Sequence, residues 1–221
     1  MCKTRVTPAS TFKIPHALIA LDTGAASGPD EVIQYDGKGD WPESSRHEHT
    51  LATAIRDSVV WYFQKLAERI GEKQEESYLG KFAYGNQDID SGLTSFWLGG
   101  SLQITPEEQV QFLRKLYEGK LPVKFESMSA VQTMLIQPNG AVVNALGEHP
   151  FDAPWPAGTS VSAKTGSGTD ADGRTVRWLV GRIRRDGHSY IFASCVIGDK
   201  TLDANAAIDL AAKSLRENAI L

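Results

Sequence analysis

Ser10-Thr11-Phe12-Lys13 heads an apolar run, Ile14-Pro15-His16-Ala17-Leu18-Ile19-Ala20-Leu21. On a helix, positions i and i+3 share a face, so the Ser10 hydroxyl and the Lys13 amine can meet. A serine hydroxyl is a weak nucleophile and needs a neighbouring base. A lysine serves as that base only when neutral, and burial favours the neutral form by penalising charge. Read alone, the stretch is an N-capped amphipathic helix with a solvated lysine. Lys164-Thr165-Gly166, far downstream, moves the reading towards catalysis, because Ser-x-x-Lys followed by Lys-Thr-Gly marks serine acyl-transfer enzymes.

Working outward, Gly24 is expected to stop the first helix, and residues 25–50, rich in Gly, Pro, Ser and charge, read as a long surface excursion pinned by Trp41-Pro42. Thr50 is placed to cap a short helix over residues 51–55. A second helix is expected over 58–70, with Val60, Phe63, Ala67 and Ile70 buried and Gly71 as its end. Ser58 at its head reads as a cap by default. A short helical piece over 75–82 leads to Tyr84-Gly85-Asn86, a turn, and to Phe96-Trp97-Leu98, an aromatic anchor. Thr105-Pro106-Glu107-Glu108 is a capping box with proline at the first helical position. It opens a helix with Val110, Leu113 and Leu116 inside and Gly119 as its stop. A further helix is expected over 127–135.

The tail differs. Residues 160–164 read as a strand leading into Lys164-Thr165-Gly166. Val176, Trp178 and Val180 alternate with Arg177, Leu179 and Gly181, and residues 190–196 form another apolar run. Asp186-Gly187 between them signals a hairpin. Asp203 is expected to cap a closing helix with Ala207, Leu210, Ala211 and Leu215 inward. The chain therefore reads as a single α+β domain over 1–221. Residues 1–158 form a mainly helical lobe, and 159–221 an antiparallel sheet with a terminal helix, with a small-molecule cleft between the lobes.

The chain of 221 residues carries a formal charge of −4, large enough for a proper core. The mild, mixed charge argues against nucleic-acid partners and polybasic membrane binding. No apolar run approaches membrane-spanning length, and Met1-Cys2-Lys3-Thr4-Arg5 does not open a signal-peptide pattern. The two cysteines, Cys2 and Cys195, read as unpaired thiols. The five histidines lack metal spacing, so no metal is expected.

With these pieces placed, the sequence resembles the class D (oxacillinase-type) serine β-lactamases. The resemblance is carried by Pro8-Ala9-Ser10-Thr11-Phe12-Lys13-Ile14, Ser58-Val59-Val60, Tyr84-Gly85-Asn86, Trp97-Leu98 and Lys164-Thr165-Gly166. Gly92-Leu93-Thr94 and Pro106-Glu107-Glu108-Gln109 support it. It implies the penicillin-recognising β-lactamase/transpeptidase-like fold and hydrolysis of penicillin-type β-lactams. In it Ser10 forms an acyl-enzyme. Lys13, carrying carbon dioxide as a carbamate rather than any diffusible cofactor, acts as general base. Val60 walls that group, and the Trp97 indole N–H, a donor only, stabilises it. Ser58 relays a proton to the leaving nitrogen with help from Lys164. Thr165, Gly166 and Ser167 bind substrate, with the Ser10 and Ser167 N–H groups as oxyanion hole, and Leu98 lines the site. Tyr84 and Asn86 read as structural.

The resemblance also implies a periplasmic setting. It admits a slowly deacylating β-lactam sensor domain as an alternative, or a penicillin-binding transpeptidase. The sequence departs from the family twice. Only nine residues precede Ser10, so the family's N-terminal helix and two sheet strands have no counterpart, and an open sheet edge that could support a homodimer is expected. No arginine lies between Gly198 and Lys213, which leaves Thr165, with Thr201 or Asn205, for the substrate carboxylate.

Overall fold

The fold, obtained as a computed structural model, describes residues 2–152 and 154–221. A 3-10 turn over Ala9–Phe12 runs straight into helix α1, Lys13–Thr23, which ends at Gly24 with φ +80°. Pro15 sits in the first turn of α1, where its missing N–H costs no helical hydrogen bond. Eight consecutive residues of α1, Lys13 to Ala20, are buried, so this is a central helix rather than an amphipathic surface one.

Around α1 pack α2 (Leu51–Arg56), α3 (Val60–Ile70), α4 (Glu72–Phe82) and, beyond α5 (Pro106–Tyr117), which lies against the main sheet, α6 (Phe125–Met134). Thr50 caps α2 and Thr105 caps α5, each through a reciprocal capping box. Within the excursion, β1 (Val32–Ile33) pairs with β2 (His49–Thr50), a short ladder that the loop composition does not announce.

A second unanticipated hairpin joins β3 (Ala141–Asn144) to β4 (Gly147–Pro150). The main sheet is antiparallel, in the order β5 (Ser160–Thr169), β6 (Thr175–Arg185), β7 (His188–Gly198), and α7 (Ala206–Glu217) closes the chain. Asp186 and Gly187 turn β6 into β7 with φ of +51° and +77°, the left-handed pair that a two-residue hairpin needs.

The sheet is covered on both faces. Val176, Trp178 and Val180 join the large core around α1, whereas Val161, Ala163, Leu179 and Ile183 join a smaller core with α7. The Lys-Thr-Gly triplet lies inside β5 rather than after it. Asp203 does not cap α7; Asn205 precedes the helix, and Asp203 accepts a hydrogen bond from the Asn205 N–H instead. Ile208 replaces Leu210 in the inner stripe, and Leu210 is 47% exposed. Among the described residues no strand pairs with the outer edge of β7.

Candidate active site

Backbone strain marks both segments that bring hydroxyls to the site. Ala9, just before Ser10, has φ +47°, and Ser58 has φ +61°. Left-handed conformations are costly for residues with a Cβ and are held only by their surroundings. The Pro8 carbonyl accepts from both the Thr11 N–H and its hydroxyl, which fixes the turn carrying Ser10. One helical step on, Lys13 Nζ lies 2.9 Å from Ser10 Oγ.

The Lys13 side chain is fully buried, with its amine 5.4 Å from the centre of the Phe63 ring. Burial, reinforced by the charge of Lys164, holds the Lys13 amine well below the usual lysine range. Behind it, His16 Nε2 lies 2.8 Å from Glu75 Oε1, both buried, and the His16 ring meets the Trp97 indole edge-on at 5.0 Å. Sequence reading passes over this pair because His16 sits in an apolar run and Glu75 in a polar helix.

Ser58 is not a helix cap. Val59 occupies that place before α3, and Ser58 Oγ instead accepts a hydrogen bond from Lys164 Nζ at 3.1 Å. Lys164 is 3% exposed. Burial pushes its pKa down to about 7 against the opposing charge of Asp57. Its amine also donates to the Thr165 carbonyl.

The close approach of β5 to the nucleophile turn depends on Gly166. A Cβ there would sit 3.0 Å from both the Pro8 carbonyl oxygen and the Thr11 methyl carbon. Thr7 ties these parts together. Its hydroxyl donates to the Trp97 carbonyl and accepts from the N–H groups of Ala9 and Gly99, and its carbonyl accepts from the Trp178 indole. No sequence motif singles Thr7 out.

Ser10, Ser58, Val60, Thr165, Gly166 and Ser167 line one cleft of about 400 Å³. Trp41 and Pro42 form one rim and Asn144, Ala145 and Leu146, from the β3–β4 turn, another. Lys13 and Lys164 lie buried beneath this floor. Trp97 is fully buried, and its indole Nε1 has no acceptor among the described residues. Leu98 does not line the cleft; it is half-buried against the large core. Tyr84 is buried and Asn86 bonds the backbone of Ser101 and Gln103, a structural role for both. A hydroxyl beside a buried amine, a second hydroxyl bonded to a second buried amine, and a concave floor together suit acyl transfer.

Comparisons with known proteins agree. The penicillin binding protein transpeptidase domain matches residues 1–217. The chain is 35% identical over 209 residues to the probable β-lactamase YbxI of Bacillus subtilis, covering 95% of this chain and 72% of that protein. It is 38% identical over 187 residues to β-lactamase OXA-48 of Klebsiella pneumoniae, covering 84% of this chain but 64% of the relative. It thus spans less than two thirds of that relative's length. Among solved structures, class D β-lactamase BAT-2 superposes with a TM-score of 0.83 at 35% identity, covering all of this chain and 84% of that one. Shared fold and shared sequence place the chain in the class D β-lactamase family, within the penicillin-binding transpeptidase-like fold.

Proposed function

We propose that this chain hydrolyses the β-lactam ring of penicillin-type antibiotics through an acyl-enzyme on Ser10. The carrying observation is the contact of 2.9 Å between Ser10 Oγ and a fully buried Lys13 amine. A neutral amine takes the hydroxyl proton as Oγ bonds to the lactam carbonyl carbon. The carbonyl oxygen gains charge against the N–H groups of Ser10 and Ser167, a donor arrangement worth ~3–4 kcal/mol each where measured. The C–N bond then breaks, and the Ser58 hydroxyl, bonded to Lys164, passes its proton to the departing nitrogen and is reprotonated through Lys164 by the proton that Lys13 took from Ser10, which frees the base. Water next attacks the Ser10 ester, giving one proton to the base at position 13, and the base returns it to Ser10 Oγ as the ester C–O bond breaks.

The surroundings of Lys13 also suit its carbamate. Walls of Phe63 and Val60 favour the uncharged amine that adds carbon dioxide, and the unpaired Trp97 N–H is a buried donor awaiting an anion. When present, that group supplies an anionic base in place of the amine. We place the protein outside the cytoplasm, where its substrates act, and infer self-association through the open edge of β7. A constant monomer mass in light scattering across a wide concentration range would overturn the association.

The functional test is turnover of a chromogenic cephalosporin, with intact-mass analysis. Sustained turnover that rises with added bicarbonate is expected. A stoichiometric burst without turnover would point to a sensor domain, and no adduct on Ser10 would refute acylation.

A further inference from the structure

Arg177 stands on β6 directly opposite Ser167 on β5, on the sheet face turned towards α7. Its Nη1 donates to Ser167 Oγ at 2.6 Å. Its Nε and Nη2 donate to the carbonyls of Asp203 and Leu202, both at 3.3 Å. The guanidinium is therefore held from behind by the segment after β7 and aimed at a hydroxyl that lines the cleft. Three of the other arginines of this lobe have acidic partners, Arg174 with Asp170, Arg185 with Asp186 and Arg216 with Asp152, while Arg182 lies over the Tyr117 ring. Among the described residues Arg177 has no carboxylate within ion-pair distance.

We propose that Arg177 anchors the carboxylate of the substrate, at the Thr165–Ser167 side of the cleft. A guanidinium carries five N–H donors. Three are engaged here, which leaves one on each terminal nitrogen, the pair that a carboxylate bridges. Ser167 Oγ accepts from the cation, so its own proton is free to donate to the same anion and is polarised for it. The other candidates are weaker. The Thr201 hydroxyl donates to Asp199, and Asn205, whose Oδ1 accepts from Asn144, offers only a neutral amide donor where Arg177 offers a cation. The assignment rests on the β-lactam reading and adds which group reads the substrate's charge.

The test compares a carboxylate-bearing cephalosporin with its methyl ester, on the full chain and its Arg177→Ala and Arg177→Lys variants. Arg177→Ala should lower kcat/KM for the acid by roughly 10–100-fold, the range of a charge-assisted hydrogen bond, mainly through KM. The ester should change less than about twofold, and Arg177→Lys should recover part of the loss. Equal losses on acid and ester, or no loss on the acid, would overturn the proposal. Calorimetric binding in a Ser10→Ala background separates this from the failure of turnover. There the acid should bind at least about tenfold tighter than the ester, and Arg177→Ala should abolish the preference; equal binding of acid and ester would overturn the anchor even in a catalytically silent protein.

Discussion

Lys164 Nζ and Ser58 Oγ, 106 positions apart in sequence, lie 3.1 Å apart in space. The contact joins the sheet to the helical lobe across the floor of the cleft. It also places a buried amine, with its pKa pushed down to about 7, where its charge state matters.

Stability should therefore rise with pH through neutrality. Between pH 7 and 9 the unfolded chain holds a proton on Lys164 that the folded chain increasingly lacks, so this amine adds a positive slope of up to about 1.4 kcal/mol per pH unit, and the depressed Lys13 amine acts in the same direction. Above pH 9 Cys195, raised to about 12 by burial, opposes the gain, because the unfolded thiol ionises first. Urea titrations in carbon-dioxide-free buffer at pH 7, 8 and 9 check this. Lys164→Met should flatten the slope, and an unchanged slope would show that Lys164 stays protonated when folded.

Removing the base should stall the reaction. Lys13→Ala is expected to lower turnover by ~10²–10⁴-fold, the usual contribution of a positioned general base, while an adduct on Ser10 accumulates if acylation still occurs. Stopped-flow absorbance combined with mass analysis distinguishes slowed acylation from slowed release. Undiminished turnover would remove Lys13 from the chemistry.

Widening the gap under β5 should cost activity more than stability. Gly166→Ala places a methyl 3.0 Å from the Pro8 carbonyl oxygen and the Thr11 methyl, so strand and nucleophile turn must separate by a few tenths of an ångström. Displacements of about 1 Å can cost ~100-fold in rate. We expect kcat/KM to fall by about 10–100-fold with a modest change in melting temperature; a large melting shift with retained specific activity would contradict the packing account.

The rim should govern which acyl side chains are accepted. Leu146, 77% exposed at the tip of the β3–β4 hairpin, lines the same cleft as Trp41. Covering such apolar surface with a substrate side chain is worth about 1–3 kcal/mol. Leu146→Ser and Trp41→Ala are expected to raise KM for penicillins with large aromatic side chains by about 5–50-fold and to leave small-side-chain analogues nearly unchanged. Parallel increases for both substrates would place these residues outside the specificity determinants.

The buried pair behind Trp97 should be structural. Glu75→Ala leaves the buried His16 Nε2 without its neighbour at 2.8 Å, and an unsatisfied buried polar group typically costs about 1–3 kcal/mol. Denaturant titration of the Glu75→Ala and Glu75→Gln variants reads it, with a smaller loss expected for the amide. An unchanged midpoint for Glu75→Ala would show that the pair contributes nothing.

How legible all this was in the sequence depends on the range of the signal. Ser10 with Lys13, and Thr105 with Glu108, are local pairs one helical turn apart, so their contacts follow from helix geometry. Asp186-Gly187 announces its hairpin because the turn needs positive φ. Local rules make Ser58 a cap and only the motif resemblance gives it a proton-relay role; its φ of +61° and its bond to Lys164 come from tertiary packing. The β3–β4 hairpin escaped notice because Ala145-Leu146 lacks the glycine and asparagine that such turns favour. Arg177 enters the sequence reading only as one member of an alternating strand, and its pairing with Ser167 and its bonds to the Leu202 and Asp203 carbonyls come from tertiary structure.

A single threonine hydroxyl has a wider consequence. Thr7 joins the turn bearing Ser10, the loop bearing Trp97 and, through its carbonyl, the β6 tryptophan. Nucleophile, indole and sheet thus behave as one welded plate. Changes in drug preference have room at the loose fringe of hairpin and excursion, while any shift of the plate itself moves every reacting group at once.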